Sequence, residues 1–248
     1  RKECGRDYNG LLFIYDRRED PITPLLNQWT YQAMIHELIG LQNNILEIKR
    51  GKSEKNEKLV LSDYDDKFFS ENINSDFGEV ANNIKILVDE LNKEQSNNNK
   101  KTDTLEDLKK MIEQLPEKKK QSAEVTKHTN IIYELTELVN RMKLFDLSSL
   151  EQDIACNDNK KEQYNKLSAI LKNEFYSNLD KAKICLLYSF RYEGDSTINQ
   201  LKYLMEQNHL KDYIDFIDYL ISFAGSEKRQ LDVLSNKDLL SKGKSRLF

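Results

Sequence analysis

Hydrophobic positions along this chain recur mostly at helical spacing, with one clear exception near the start. Leu11 to Tyr15 (LLFIY) is an unbroken apolar run closed by the polar DRREDPITP, the pattern of a buried strand that feeds a loop. No run of comparable quality follows in the next stretch of chain, so the sheet this strand would join is expected to lie largely elsewhere. The polar opening RKECGRDYNG reads as the start of an excised piece. After Pro21 and Pro24, residues Trp29, Ala33, Met34, Leu38 and Ile39 fall at helical spacing, and Gly40 offers a C-cap. Lys49 to Lys58 is polar and loop-like, and Leu59 to Leu61 is a candidate second strand.

Longer helical patterns follow. Asp76, with Glu79 three residues on, supplies an N-cap for a helix whose stripe is Val80, Ile84, Leu87, Val88 and Leu91. The segment EQSNNNKKT has too little apolar surface to offset its ordering entropy and is expected to be a loop. Thr104 with Asp107 opens a further pattern, in which Leu105, Leu108, Met111, Ile112 and Leu115 share one face. Pro116 is expected to break it. The pattern resumes through Ile131, Ile132, Leu135, Leu138, Val139 and Met142, which predicts a return helix over about 118–143, a hairpin over about 76–143, and a basic tip at Lys118, Lys119 and Lys120. Ser148 and Glu151 are expected to cap another helix. Ala182 to Tyr192, Ile198 to Met205 and Tyr213 to Phe223 supply more apolar helical faces, and the chain beyond Gly225 is polar. The predicted fold class is mainly α: a helical domain with a long protruding helical hairpin, plus a short strand-containing piece of an α/β domain at the N-terminus.

Composition agrees with a helical reading, since 8 Gly and 3 Pro in 248 residues punctuate the chain sparsely while 32% of residues are charged. A formal net charge of -4 gives no global attraction to phosphate and argues against a dedicated nucleic-acid partner. Cys4, Cys156 and Cys185 lack the spacing of zinc sites or disulfide frameworks and read as reduced thiols, with the cytosol as the expected compartment.

Catalytic chemistry finds little support. Asp16 and Asp20 flank Arg17 and Arg18 past the first strand, where α/β enzymes place acids and bases, yet ion pairing and turn capping account for the cluster. His36, His128 and His209 are single histidines with no second His or Cys at i+3 or i+4, so a metal site would have to be assembled across the fold and none is expected. SDYDDKFFSEN lacks the Gly and the terminal Glu of a calcium loop. No cofactor motif is present. The hairpin is the remaining candidate: a protruding amphipathic arm with a proline break offers a groove for another amphipathic helix. If the arm were instead a packing element of a non-catalytic scaffold or tether, its apolar face should be fully buried.

The run DRREDPITPLLNQWTYQAMIHELIG, from Asp16 to Gly40, closely resembles the segment that links the central α/β domain to the third domain in SM (Sec/Munc, syntaxin-binding) proteins. VLSDYDDKFFSENINSDFGEVANNIKILVDEL and LEDLKKMIEQLPEKKKQSAEVTKHTNIIYELTELV follow that family in order, and LEQDIACNDN and AKICLLYSFRYE continue it. Among its branches the chain looks like the endosomal vacuolar-protein-sorting branch, of the forty-five type. The resemblance implies that 1–28 ends a central α/β domain, that 29–225 is the helical third domain, and that 226–248 is a polar tail. It also implies a non-enzymatic regulator of vesicle fusion on Golgi and endosomal membranes, attached peripherally through syntaxin and other SNARE partners. In the family the hairpin of the third domain is a SNARE-assembly surface. Carried onto this sequence, that surface comprises Leu108, Met111, Leu115 and Pro116, then Lys119, Val125, His128 and Thr129 on the returning helix. Ser122 and Thr129 stand where some relatives are apolar.

Overall fold

The computed structural model describes residues 12–49, 56–98 and 105–229, without the side chains of 49, 56, 92, 94–98 and 105–118. Two compact units result: Gln28–Leu144, and the chain on either side of it. Among the described residues the chain is mainly helical with one small antiparallel sheet.

In the unit Gln28–Leu144, helix α1 (Tyr31–Met34) runs into a π-helical turn at Ile35–Ile39. Gly40 ends it at φ 94°, its N–H donating to the Ile35 carbonyl, as its predicted capping role requires. Strands β1 (Leu41–Gln42) and β2 (Ile45–Lys49) are joined through Asn43 and Asn44, both at positive φ. Two such residues make the tight turn whose twist matches a hairpin, and asparagine tolerates the conformation. Strand β3 (Asn56–Val60) pairs antiparallel with β2, Leu46 opposite Leu59. The sheet thus takes in part of the predicted loop Lys49 to Lys58. Alternation explains β2: Leu46 and Ile48 are buried while Ile45 and Glu47 face out.

Helix α2 (Lys67–Asn72) starts at Asp66, whose carboxylate accepts the Phe69 N–H at 2.9 Å. Helix α3 (Phe77–Asn98) starts at Asp76, which accepts the Glu79 N–H at 2.9 Å, as the capping pattern predicted. It continues to Asn98, five residues into the segment expected to be a loop. Thr104 lies outside the described residues.

Helix α4 corrects the largest expectation. It is continuous from Leu105 to Arg141, 37 residues and about 55 Å long, and Pro116 and the three lysines after it sit inside it rather than at a tip. The chain therefore does not reverse at Pro116. Proline forfeits one bond and adds a clash, yet both neighbouring segments are rich in strong helix formers (LEDLKKMIEQL and EKKKQSAE), so propagation outweighs a single defect. The proximal half of α4 is firmly packed through Val125, Ile131, Leu135, Leu138 and Val139.

In the second unit, helix α5 (Leu144–Cys156) begins just after Lys143, which takes a positive φ of 47°. Ser148 and Glu151 lie within it and are not its caps, because Leu144, Leu147, Leu150 and Ile154 form one buried stripe that needs helix throughout. Helix α6 (Lys160–Lys172) buries Gln163, Leu167, Ile170 and Leu171. Helix α7 (Asn178–Arg191), capped by the Ser177 hydroxyl, is the central element, buried nearly all round from Ala182 to Phe190. Helices α8 (Thr197–Gln207) and α9 (Ile214–Ala224) complete the unit and match the predicted apolar faces.

Leu12 to Tyr15 has no strand partner among the described residues, and Leu12, Phe13 and Ile14 are exposed. An apolar run becomes a strand only when another strand takes up its backbone groups. Asp16 pairs with Arg18 at 2.6 Å and Asp20 accepts the Ile22 and Thr23 N–H groups, so both acids cap turns. No helix among the described residues is long and apolar enough to cross a membrane.

Candidate partner-binding surface

The anchored part of α4 places the sequence-predicted residues in two environments. Its buried stripe at helical spacing includes Val125 and His128, so these two lie in the core and not on a contact surface. Lys119 and Thr129 are exposed. The side chains of Leu108, Met111, Leu115 and Pro116 lie outside the described residues.

His128 is fully enclosed and bonded at both ring nitrogens. Nε2 is 2.9 Å from Asp66 Oδ1, and Nδ1 is 2.8 Å from the Tyr31 hydroxyl. An ionised carboxylate only accepts, so Nε2 carries a proton. Burial, with the Asp66 charge second, pushes the Tyr31 phenol far up, so it keeps its proton where its hydroxyl meets Nδ1. The Lys127 ammonium also pairs with Asp66. Burial alone would raise the Asp66 carboxyl, but hydrogen bonds from His128, Lys127 and the Phe69 N–H outweigh it and hold it well below the usual carboxylate range. The Phe68 ring lies tilted beside the imidazole, 4.7 Å between centroids, and the Phe68 N–H donates to Glu124 Oε1 at 2.8 Å. The cluster therefore ties α4 to α1 and to the start of α2.

Asp66, Glu124 and His128 stand close enough together to be considered as metal ligands. The donor set does not fit a cation well: the Lys127 charge lies on Asp66, both imidazole nitrogens are engaged, and Glu124 is committed to a backbone N–H. The group is an ion-paired structural lock.

Next to the lock a cleft of about 600 Å³ is lined on one side by Glu57, Leu59 and Asp65, and on the other by α4 residues including Lys119, Lys120, Ala123 and Thr126. Farther along the arm, the α3 stripe changes character: Val80 and Ile84 are buried, whereas Leu87, Val88 and Leu91 are only half-buried and Ile86 is 49% exposed. The apolar face of the arm is therefore not sealed.

The sequence reading missed Asp66, Lys127 and Tyr31. Two signals could have found the lock: Asp66 stands three residues before Phe69, the N-cap offset, and His128 shares the Val125, Ile131, Ile132, Leu135 stripe, which places an imidazole inside the core.

Comparison with known proteins gives a consistent answer. The Sec1 family matches residues 3–246. A vacuolar protein sorting-associated protein 45 homolog of Arabidopsis thaliana is 39% identical over 236 residues, covering 93% of this chain and 41% of that protein. The vacuolar protein sorting-associated protein 45 of Homo sapiens is 35% identical over 237 residues, with 93% and 41% covered. Among solved structures, the SM protein Vps45 in complex with the Qa SNARE Tlg2 is similar at a TM-score of 0.71 and 33% identity, over 84% of this chain and 37% of that one. The chain spans about two fifths of the length of the relatives it matches.

Proposed function

Because the chain belongs to the Sec1 family, we propose that it is part of a regulator of SNARE-mediated vesicle fusion that binds syntaxin and other SNARE helices and templates their assembly. On this reading residues 1–28 end the central α/β domain, 29–225 form the third domain, and 226–248 lead out of it. The work is done by binding, without catalysis, on trans-Golgi and endosomal membranes reached through protein partners. The relative solved with a Qa SNARE supports the class of partner.

The observation that carries the reading is the unsealed face of the arm. A scaffold helix pair would bury its stripe, whereas here Leu87, Val88 and Leu91 stay half in solvent beside a helix of 37 residues. Half-buried apolar positions at helical spacing are what an incoming amphipathic helix needs. Leu108, Met111, Leu115 and Pro116 are assigned to the distal contact, Lys119 and Thr129 to its exposed continuation, and Val125 and His128 to support of the helix from beneath. Pro116 acts within the helix as a point of lowered rigidity.

The test is a titration of the chain with peptides spanning the SNARE motif of a Qa SNARE. Saturable binding that rises with peptide helicity, and that Leu87→Asp with Leu91→Asp weakens by about tenfold or more, is expected. Unchanged affinity in that double variant would overturn the assignment of the arm.

A further inference from the structure

Strand β3 lies at the edge of the sheet, with β2 on one side. The Leu61 N–H donates to the Asn44 carbonyl at 2.8 Å, which fixes the phase of the ladder. Hydrogen-bonded and non-bonded pairs alternate in an antiparallel sheet. With Leu46 opposite Leu59 and Glu47 opposite Lys58, the main-chain groups of Leu59 point to β2 and those of Lys58 and Val60 point away from it. The approach of Lys127 Nζ to the Val60 carbonyl, 3.5 Å, comes from that outer side. Among the described residues no hydrogen bond reaches the main-chain groups of Lys58. An edge of this kind is a template for a further strand.

The space beside the edge is built for side chains. Leu59 and Glu57 sit opposite the buried Leu46 and Ile48, so they belong to the inner face of the sheet, and they line the cleft whose other wall carries Lys119 and Lys120. A strand laid along β3 would send every second side chain into that cleft. Lys119 and Lys120 are exposed and have no ion pair among the described residues, while Lys127 is held by Asp66. Glu57 and Asp65 lie on the far wall, so a carboxylate is favoured on the α4 side only.

We propose that the outer edge of β3, together with Lys119 and Lys120, docks an extended segment of a partner protein, which adds a strand to the sheet and places acidic side chains against α4. The site takes an extended chain rather than a helix; it shares Lys119 with the proposed SNARE surface, whereas the outer edge of β3 belongs to this site alone, so the N-methylated peptide and Lys58→Pro separate the two readings.

The experiment titrates the chain with a synthetic peptide alternating Val and Glu, and with the same peptide N-methylated at alternate backbone nitrogens. Binding of the first should slow amide exchange at Val60 and Lys58 by about tenfold or more while leaving Leu59, already bonded to Leu46, unchanged. Lys119→Glu with Lys120→Glu should weaken the Kd by about tenfold. Lys58→Pro should abolish binding, because it removes an outward N–H without breaking a bond to β2. A matching thermal midpoint establishes that this variant folds; should it not fold, loss of binding by the N-methylated peptide carries the same decision. No binding of the unmodified peptide, equal binding of the two peptides, or protection that does not alternate along β3 overturns the proposal. So does a concentration-dependent dimer that protects Lys58 and Val60 without peptide, which would assign the edge to a second copy of the chain.

Discussion

Each of the two units buries a carboxylate, and the two carboxylates are treated in opposite ways. In the unit Gln28–Leu144, Asp66 is 4% exposed and meets an ammonium, an imidazole N–H and a backbone N–H. In the other, Glu151 is 5% exposed and accepts from the Asn27 N–H at 3.0 Å and the Asn27 amide at 2.9 Å. Lys183 stands one step away, donating to Asn27 Oδ1 at 3.2 Å. Burial pushes the Glu151 carboxyl up, and the Asn27 N–H and the Lys183 charge offset only part of that. Burial depth is nearly the same at both sites. What differs is whether a cation touches the carboxylate or only its neighbour.

The largest test of this contrast is Asp66→Ala, which leaves the half-buried Lys127 ammonium and the buried His128 N–H without their acceptor. A loss of about 3–5 kcal/mol in urea denaturation is expected, as for breaking a buried pair by removing one partner. Glu151→Ala, which leaves neutral donors on Asn27, should cost less, about 1–3 kcal/mol by the same measurement.

The two sites should also respond to pH with opposite sign. Asp66 has a depressed carboxyl, so its contribution is complete above the unfolded value near about 4 and is lost as pH falls below that through the folded one. Glu151 has a raised carboxyl, so its contribution is present below the unfolded value and is lost as pH rises through the folded one. Denaturation at a series of pH values should show the penalty of Asp66→Asn shrinking toward acid, and that of Glu151→Gln growing toward acid. Parallel curves would break the comparison. The smallest effect is expected for Lys183→Met. It should push the Glu151 carboxyl further up in a carboxyl-detected NMR titration and change stability by under about 1 kcal/mol.

Legibility in the sequence followed how local the determining forces are. The Asp76 cap, the Gly40 terminus and the stripes of α7, α8 and α9 depend on neighbours within a few residues, and the pattern alone predicted them. Pro116 misled because a local rule lost to the cooperativity of the long helix around it. Strand β2 was hidden because ILEIK is short and its buried positions are two residues apart, a signal easily absorbed into a polar surround. Helix α6 was hidden for a related reason: its core side includes Gln163, which is buried only because it donates to the Asp153 and Asn157 carbonyls and accepts from the Tyr192 hydroxyl. At the candidate surface, the residues on the stripe could be placed on α4, but the partners that enclose His128 come from about sixty and a hundred positions away, beyond any periodic pattern.

The turn at Asn43 and Asn44 has a consequence for how this domain tolerates change. With two residues in the left-handed region, the loop has a single workable length, and that length dictates which of each neighbouring couple in β2 turns inward. Deleting either asparagine would rotate the strand by half a period, sending Leu46 and Ile48 into water and drawing Glu47 under the sheet. Two small amides thus set the phase of the whole β-hairpin.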